Sequence, residues 1–300
     1  MNKEQNFISA VVYICDDGEE TINFFKELNK CLEEHFLQYE LIAVNGGGTI
    51  KSTNMLKEWA KSVKKPITLI NMSFGQPHEQ CMNAGIDISI GDYVYEFDSV
   101  KKPYSITLIW DAYQTAMRGN DIVTVCPKKS RKSSEIFYYI FNKYSNSQVK
   151  LRTDAFRLTS RRAINRAHAI SENLPYRKAA YASCGLKMET LEFEGNITKS
   201  ESNKFELAID SLVLYTDFGY RFSIGLTMTM VCVALAELLY TIVIWMVGKP
   251  IQGWTTTMFV LSFGLVGNFA ILAIAMKYLS LVLKLSIKKQ SYQIEDIEKL

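Results

Sequence analysis

Two apolar runs near the C-terminal end restrict this chain most. From Phe222 to Val247 the sequence carries one charged side chain, Glu237, and from Trp254 to Met276 it carries none. Each run exceeds the roughly 20 residues that cross a bilayer core as a helix. Gly248 to Gly253, with Lys249 and Pro250 between, reads as a tight turn. The pattern predicts a transmembrane helical hairpin with spans at about 222–247 and 254–276. Tyr240, Trp245 and Trp254 lie toward the turn, where an interfacial aromatic belt sits. Arg221, Lys277, Lys284, Lys288 and Lys289 gather at the other end. The positive-inside rule therefore puts both termini in the cytoplasm. Glu237 inside a span is a functional-site candidate because a charge is costly there. Asn268 is a possible polar partner for it within an oligomeric bundle.

The hairpin is an appendage to something larger. The 300 residues are 48% hydrophobic and 22% charged, which fits a folded domain rather than a disordered or wholly membrane-embedded chain. A net charge of +3 is too small to argue for nucleic acid. Six scattered cysteines without a Cys-x-x-Cys pair speak against a zinc site or a disulfide framework. With three histidines, a histidine-rich metal site or a Ser-His-Asp triad is a poor fit. The run Phe7–Cys15 is short, rich in β-branched residues and followed by acids, so it reads as a buried strand rather than a secretory signal.

From Phe7 to about Leu191, short β-branched runs alternate with helical periodicity. Strands are expected at Ile8–Ile14, Tyr39–Val44, Ile67–Asn71, Gly91–Phe97 and Asp121–Cys126. Helices are expected at Glu20–Phe36, Ser52–Val63, His78–Ser89 and Ser105–Arg118. This alternation predicts an open, mostly parallel α/β sheet. Ligands bind such sheets beyond the carboxyl ends of the strands, which would bring Cys15–Gly18, Asn45–Thr49 and Glu96–Lys102 to one rim. Residues 127–178 are more basic and less regular, 203–220 resemble an interfacial helix, and 291–300 form a polar, acidic tail.

The stretch Gly91-Asp92-Tyr93-Val94-Tyr95-Glu96-Phe97-Asp98-Ser99-Val100 reads as a strand running out to an acidic tip. Glu96 and Asp98, two residues apart, point to the same face of a strand. They can hold a hard cation such as Mg²⁺ or Mn²⁺ between them. Equally, Asp98 can cap the turn while Glu96 sits on a solvated strand end.

Taken in order, several segments resemble the family 2 glycosyltransferases of the polyprenyl-phosphate type, the relatives of dolichol-phosphate mannose synthase and of the bacterial bactoprenol glucosyltransferases. They are Ile8–Asp17, Tyr39–Thr49, Phe74-Gly75, Met82–Ile86, Gly91–Val94, Thr153–Leu158 with Ser160–Ala163, and Lys277–Leu279 with Lys289–Tyr292. The resemblance covers nearly the whole chain. It implies a nucleotide-sugar-transferase domain of Rossmann-like, GT-A type at 1–200. Juxtamembrane amphipathic helices at 201–221, the hairpin at 222–287 and a cytoplasmic tail at 288–300 would follow.

The implied reaction moves a sugar, with inversion, from a nucleotide-diphosphate sugar to polyprenyl phosphate. It would serve cell-envelope glycans from the cytoplasmic face of the inner membrane, with the lipid bilayer and a homo-oligomer as partners and no nucleic acid. The resemblance makes Asp98 and Asp154 catalytic candidates and Asp98, with Glu96 added by strand geometry, the Mg²⁺ or Mn²⁺ ligands. Asp16, Asp17, Asn45, Gly46, Lys101 and Lys102 become donor-binding candidates. Arg157, Arg161 and Arg177 are candidates for the acceptor phosphate. The sequence departs from the family at the acids: Asn45 and Gly46 stand where the family has two carboxylates, and Val100 replaces the second acid of Asp-x-Asp. These departures motivate a second reading, a catalytically silent member acting as scaffold or partner of an active transferase.

Overall fold

The computed structural model describes residues 3–15, 18–47, 50–73, 75–129, 132–145, 149–170, 176–195, 218–248, 253–286 and 292–300. The chain divides into two units, one of residues 1–211 with 288–300 and one of residues 212–287.

The first unit is built on a mixed sheet with strand order β7-β5-β6-β4-β1-β2-β3-β8. Its strands are β1 (Ile8–Ile14), β2 (Tyr39–Asn45), β3 (Ile67–Met72), β4 (Tyr93–Phe97), β5 (Ile122–Pro127), β6 (Phe156–Ser160), β7 (Met188–Phe193) and β8 (Ile294–Lys299). β1 lies between β2 and β4, parallel to both. The strand order thus reverses at β1/β4, and a crevice opens there beyond the carboxyl ends of the strands. β6 runs antiparallel to β4 and β5, and β8 antiparallel to β3.

The helices form where the apolar spacing demands. In α1 (Gly18–His35) Ile22, Phe24, Phe25, Leu28 and Leu32 are buried, and the charges between them face out. α2 (Ile50–Ala60), α3 (His78–Ile88) and α4 (Thr107–Met117) follow near their expected places. β1 and β2 are buried almost throughout, as strands covered on both faces must be. The described residues of the segment expected to be less regular lie largely in helices and a strand. These are α5 (Lys132–Tyr144), β6, α6 (Arg161–Ile170) and α7 (Arg177–Ser183). In α6 only Ala163, Ile164 and Ala167 are buried, so a short apolar stripe among arginines suffices to seat a helix on the sheet.

Gly91, before β4, shows how closely the chain passes itself. A Cβ there would lie 2.5 Å from the Ser9 backbone nitrogen. The Gly91 N–H donates to Ser9 Oγ at 2.8 Å, and that hydroxyl donates to the buried Glu40.

The C-terminal residues are not a separate tail. β8 pairs along β3, and Gln76 and Gln293 exchange hydrogen bonds of 2.6 and 2.9 Å. An acidic segment can sit at a sheet edge because only one side of it pairs.

The second unit is a pair of helices, α8 (Phe218–Val247) and α9 (Trp254–Ser286). Only 11% and 6% of their most apolar windows are buried, so neither is the core helix of a globular domain. Ala234 and Thr241 on α8 and Ser262 on α9 are buried, and small side chains at such positions let helix backbones approach closely. Asn268 is exposed and Glu237 half-buried.

Candidate functional site

The rim at the end of β4 is organised by ion pairs. Glu96 is wholly buried. Its Oε1 accepts from Thr159 Oγ1 at 3.0 Å. Its Oε2 accepts from Arg177 Nη1 at 2.6 Å and Arg157 Nη1 at 3.4 Å. The same two guanidiniums reach Asp98: Arg177 Nη2 donates to Oδ1 at 2.7 Å and Arg157 Nη2 to Oδ2 at 3.1 Å. Arg157 also holds Asp154 through Nε at 3.1 Å, and Lys178 pairs with the other Asp154 oxygen. Arg177 donates from Nε and from its backbone N–H to Glu79 Oε2, at 2.8 and 3.1 Å.

Four carboxylates, on Glu79, Glu96, Asp98 and Asp154, therefore face three cations, on Arg157, Arg177 and Lys178. Burial works to raise the pKa of Asp98, but Arg177, Arg157, His78 and Lys178 outweigh it and hold the carboxyl well below its usual range. His78 packs beside it, with Nε2 3.1 Å from the Asp98 carbonyl oxygen. Burial lowers the His78 pKa, against the pull of Asp98 and Glu79.

Pairing explains the arrangement. The antiparallel register sets Arg157 of β6 beside Glu96 of β4. β6 starts at the rim where β4 ends, so Asp154, just before β6, reaches the same place. The start of α7 supplies Arg177 and Lys178, and the start of α3 supplies His78 and Glu79. Sequence reading singled out Glu96, Asp98, Asp154, Arg157 and Arg177 and these do meet. It did not place His78, Glu79, Thr159 or Lys178 at the site. The one available signal for Lys178 was its place next to Arg177.

Other expected site residues fall differently. Arg161 lies at the opposite end of the sheet, because β6 runs away from the rim. Its guanidinium donates to Ser89 O at 2.7 Å and Gly91 O at 3.0 Å. Arg157 and Arg177 are at most 1% exposed, so neither presents itself to an acceptor phosphate. Asn45 is at the end of β2, donating to Asn71 Oδ1 at 3.0 Å and accepting from the Gly47 N–H at 3.3 Å. Asn71 in turn donates to Glu298 of β8, which also takes Lys57 at 2.6 Å. This link from Asn45 to the C-terminal strand has no sequence signal. At Gly46 a Cβ would meet the Tyr13 ring at 2.3 Å, so the place of a second acid is filled by an aromatic side chain. Val100 is buried in the apolar core. Lys101 is exposed, and Lys102 pairs with Glu27 of α1. Both lysines line a cleft of about 490 Å³ with Glu20, Asn23 and Glu27. Asp16 and Asp17 lie outside the described residues.

The described residues do not fit a divalent metal. Among the described residues no three His, Cys, Asp or Glu side chains group as ligands. Glu96 and Asp98, the expected pair, have guanidinium groups between them.

No family model matches the sequence. A bactoprenol glucosyl transferase of Shigella phage SfX is 22% identical over 267 residues, covering 82% of this chain and 85% of that protein. At this low identity the chain resembles the bactoprenol-type glycosyltransferases. An uncharacterised glycosyltransferase of Synechocystis is 24% identical over 196 residues, 62% of this chain, which spans only 60% of that relative's length. A mannosyltransferase of Pyrobaculum calidifontis, solved with GDP-Man and Mn²⁺, aligns with a TM-score of 0.49 at 11% identity, over 94% of this chain and 81% of that one. The fold is a mixed α/β sheet. Its crevice at the β1/β4 reversal is where that architecture places a ligand.

Proposed function

We propose that the chain is a membrane-anchored, inverting glycosyltransferase that moves a sugar from a nucleotide-diphosphate sugar to polyprenyl phosphate. It works at the cytoplasmic face of the inner membrane, for cell-envelope glycan synthesis or modification. The observation that carries this reading is the likeness to a bactoprenol glucosyl transferase over 82% of the chain. The exposed apolar helices α8 and α9 add to it, since a polyprenyl acceptor is confined to a bilayer. The hairpin spans the membrane twice, with both termini in the cytoplasm.

In this reaction an acceptor phosphate oxygen attacks the anomeric carbon, and the bond from that carbon to the leaving diphosphate oxygen breaks with its electron pair. The acceptor is already anionic at neutral pH, so a strong general base is not required. What the protein must supply is orientation and fixed positive charge for the departing diphosphate. Asp98 and Asp154 act here as anchors. They fix Arg157, Arg177 and Lys178, and through them the rim at the end of β4.

The second reading, a silent partner of an active transferase, is favoured by Val100 in the core and Tyr13 in the place of a side chain at Gly46. Purified full-length protein, polyprenyl phosphate and a panel of labelled nucleotide sugars separate the two. Labelled lipid after organic extraction establishes the enzyme. Folded protein that labels no lipid from any donor and binds no nucleotide contradicts the enzyme and leaves the silent partner.

A further inference from the structure

The ion pairs that anchor Asp98 also occupy the position of a metal. A cation bridging Glu96 and Asp98 would have to sit where Arg157 and Arg177 already bridge them, at 2.6 to 3.4 Å from both carboxylates. Each Asp98 oxygen receives a guanidinium N–H, and guanidinium stays charged at any physiological pH. A divalent ion at Asp98 would gain one anion and meet two buried cations beside it. Glu96 offers no alternative, since it is wholly buried and its other oxygen takes Thr159. The next motif position, Val100, is buried in the core, and then come two lysines rather than acids.

Those lysines have a place to act. Lys101 and Lys102 line the cleft of about 490 Å³ that runs between the tip after β4 and the first turns of α1. Lys102 is held by Glu27 across that cleft. A diphosphate entering there meets the exposed Lys101 and can take over the Lys102 ammonium.

We propose that this site binds a nucleoside diphosphate without a divalent metal: Arg157 and Arg177 fill the metal position as internal cations, and Lys101 with Lys102 neutralise the diphosphate. This rests on the reading of the rim as a nucleotide-sugar site and adds to it where the charge comes from. Val100 removes the second acid that would recruit a cation, and Lys101 and Lys102 follow it at the tip.

The test uses the full-length protein in detergent micelles, with UDP and GDP as probes. Affinities are measured by calorimetry in EDTA and in Mn²⁺, and protein-bound Mn²⁺ by electron paramagnetic resonance. UDP or GDP should bind with an affinity that changes less than about threefold between the two buffers. No protein-bound Mn²⁺ signal should appear. Lys101→Ala, an exposed substitution that leaves the fold intact, should weaken binding by about tenfold or more. Nucleotide affinity that rises tenfold or more with Mn²⁺, or a bound Mn²⁺ signal, overturns metal independence and leaves the transferase reading standing. Unchanged affinity in Lys101→Ala and in Lys102→Ala overturns the role of the lysines. No binding of either nucleotide in either buffer overturns the proposal, and the rim's assignment as a nucleotide site with it.

Discussion

Arg177, like Arg157, joins three acids of the rim. Its guanidinium holds Glu79, Glu96 and Asp98 from a position with no solvent exposure. Removing one partner of a buried ion pair leaves the others desolvated and unpaired, which costs about 3–5 kcal/mol. Arg177→Ala should therefore lower unfolding free energy by that amount in a denaturant titration, and a loss under about 1 kcal/mol contradicts the network. His78 gives a pH signature. Its folded-state pKa is depressed below the ordinary value of 6.5. Between the folded and unfolded pKa values the unfolded chain binds more protons, so stability is full above about 6.5 and falls as pH drops through that value. A melting curve series from pH 8 to about 5 should show this decline, and His78→Gln should flatten it. Asp98 contributes in the same direction at lower pH. Its depressed pKa makes a contribution that is complete above about 4 and is lost on further acidification. At this scale the sequence revealed the residue types and their spacing. It could not reveal that Glu96 and Asp98 meet arginines rather than a metal. That outcome depends on Arg157, about sixty residues away, falling opposite Glu96 in the β4–β6 register.

Among the elements, β1 to β4 and α1 to α4 were legible because each carries its own period: buried runs for the parallel strands and a stripe for each helix. β6 was not read as a strand: its residues entered only through the resemblance over Thr153–Leu158, and its direction, which decides that Arg157 and Arg161 part company, leaves no mark in the sequence. β8 was missed for a physical reason. Its residues Ile294 to Lys299 alternate weakly and carry three acids, so they look like a solvated tail until β3 offers an unpaired edge. The strand does more than close the edge. Glu298 receives Lys57 and Asn71, and Asn71 orients Asn45 at the rim. Deleting residues 293–300 should release the β3 backbone, read as faster hydrogen exchange across Ile67–Met72. Glu298→Ala should keep β8 paired and weaken donor binding through Asn45, without that exchange signature. Unchanged exchange in the deletion contradicts the pairing.

For the whole molecule, a sheet unit with a switch-point crevice is joined in one chain to two exposed apolar helices. The apolar helices were plain in the sequence because length and the near-absence of charge define a span without reference to any partner. The protein should fractionate with membranes and resist extraction by alkaline carbonate; release into the soluble fraction contradicts the spanning hairpin. A transferase that carries its own cations at the place of a metal should work without one. The deciding measurement is the rate at which the purified full-length protein transfers labelled sugar to polyprenyl phosphate in excess EDTA. Labelled lipid should form from at least one nucleotide sugar, at a rate within about threefold of that in Mn²⁺. Transfer that vanishes in EDTA and returns with Mn²⁺ would contradict it.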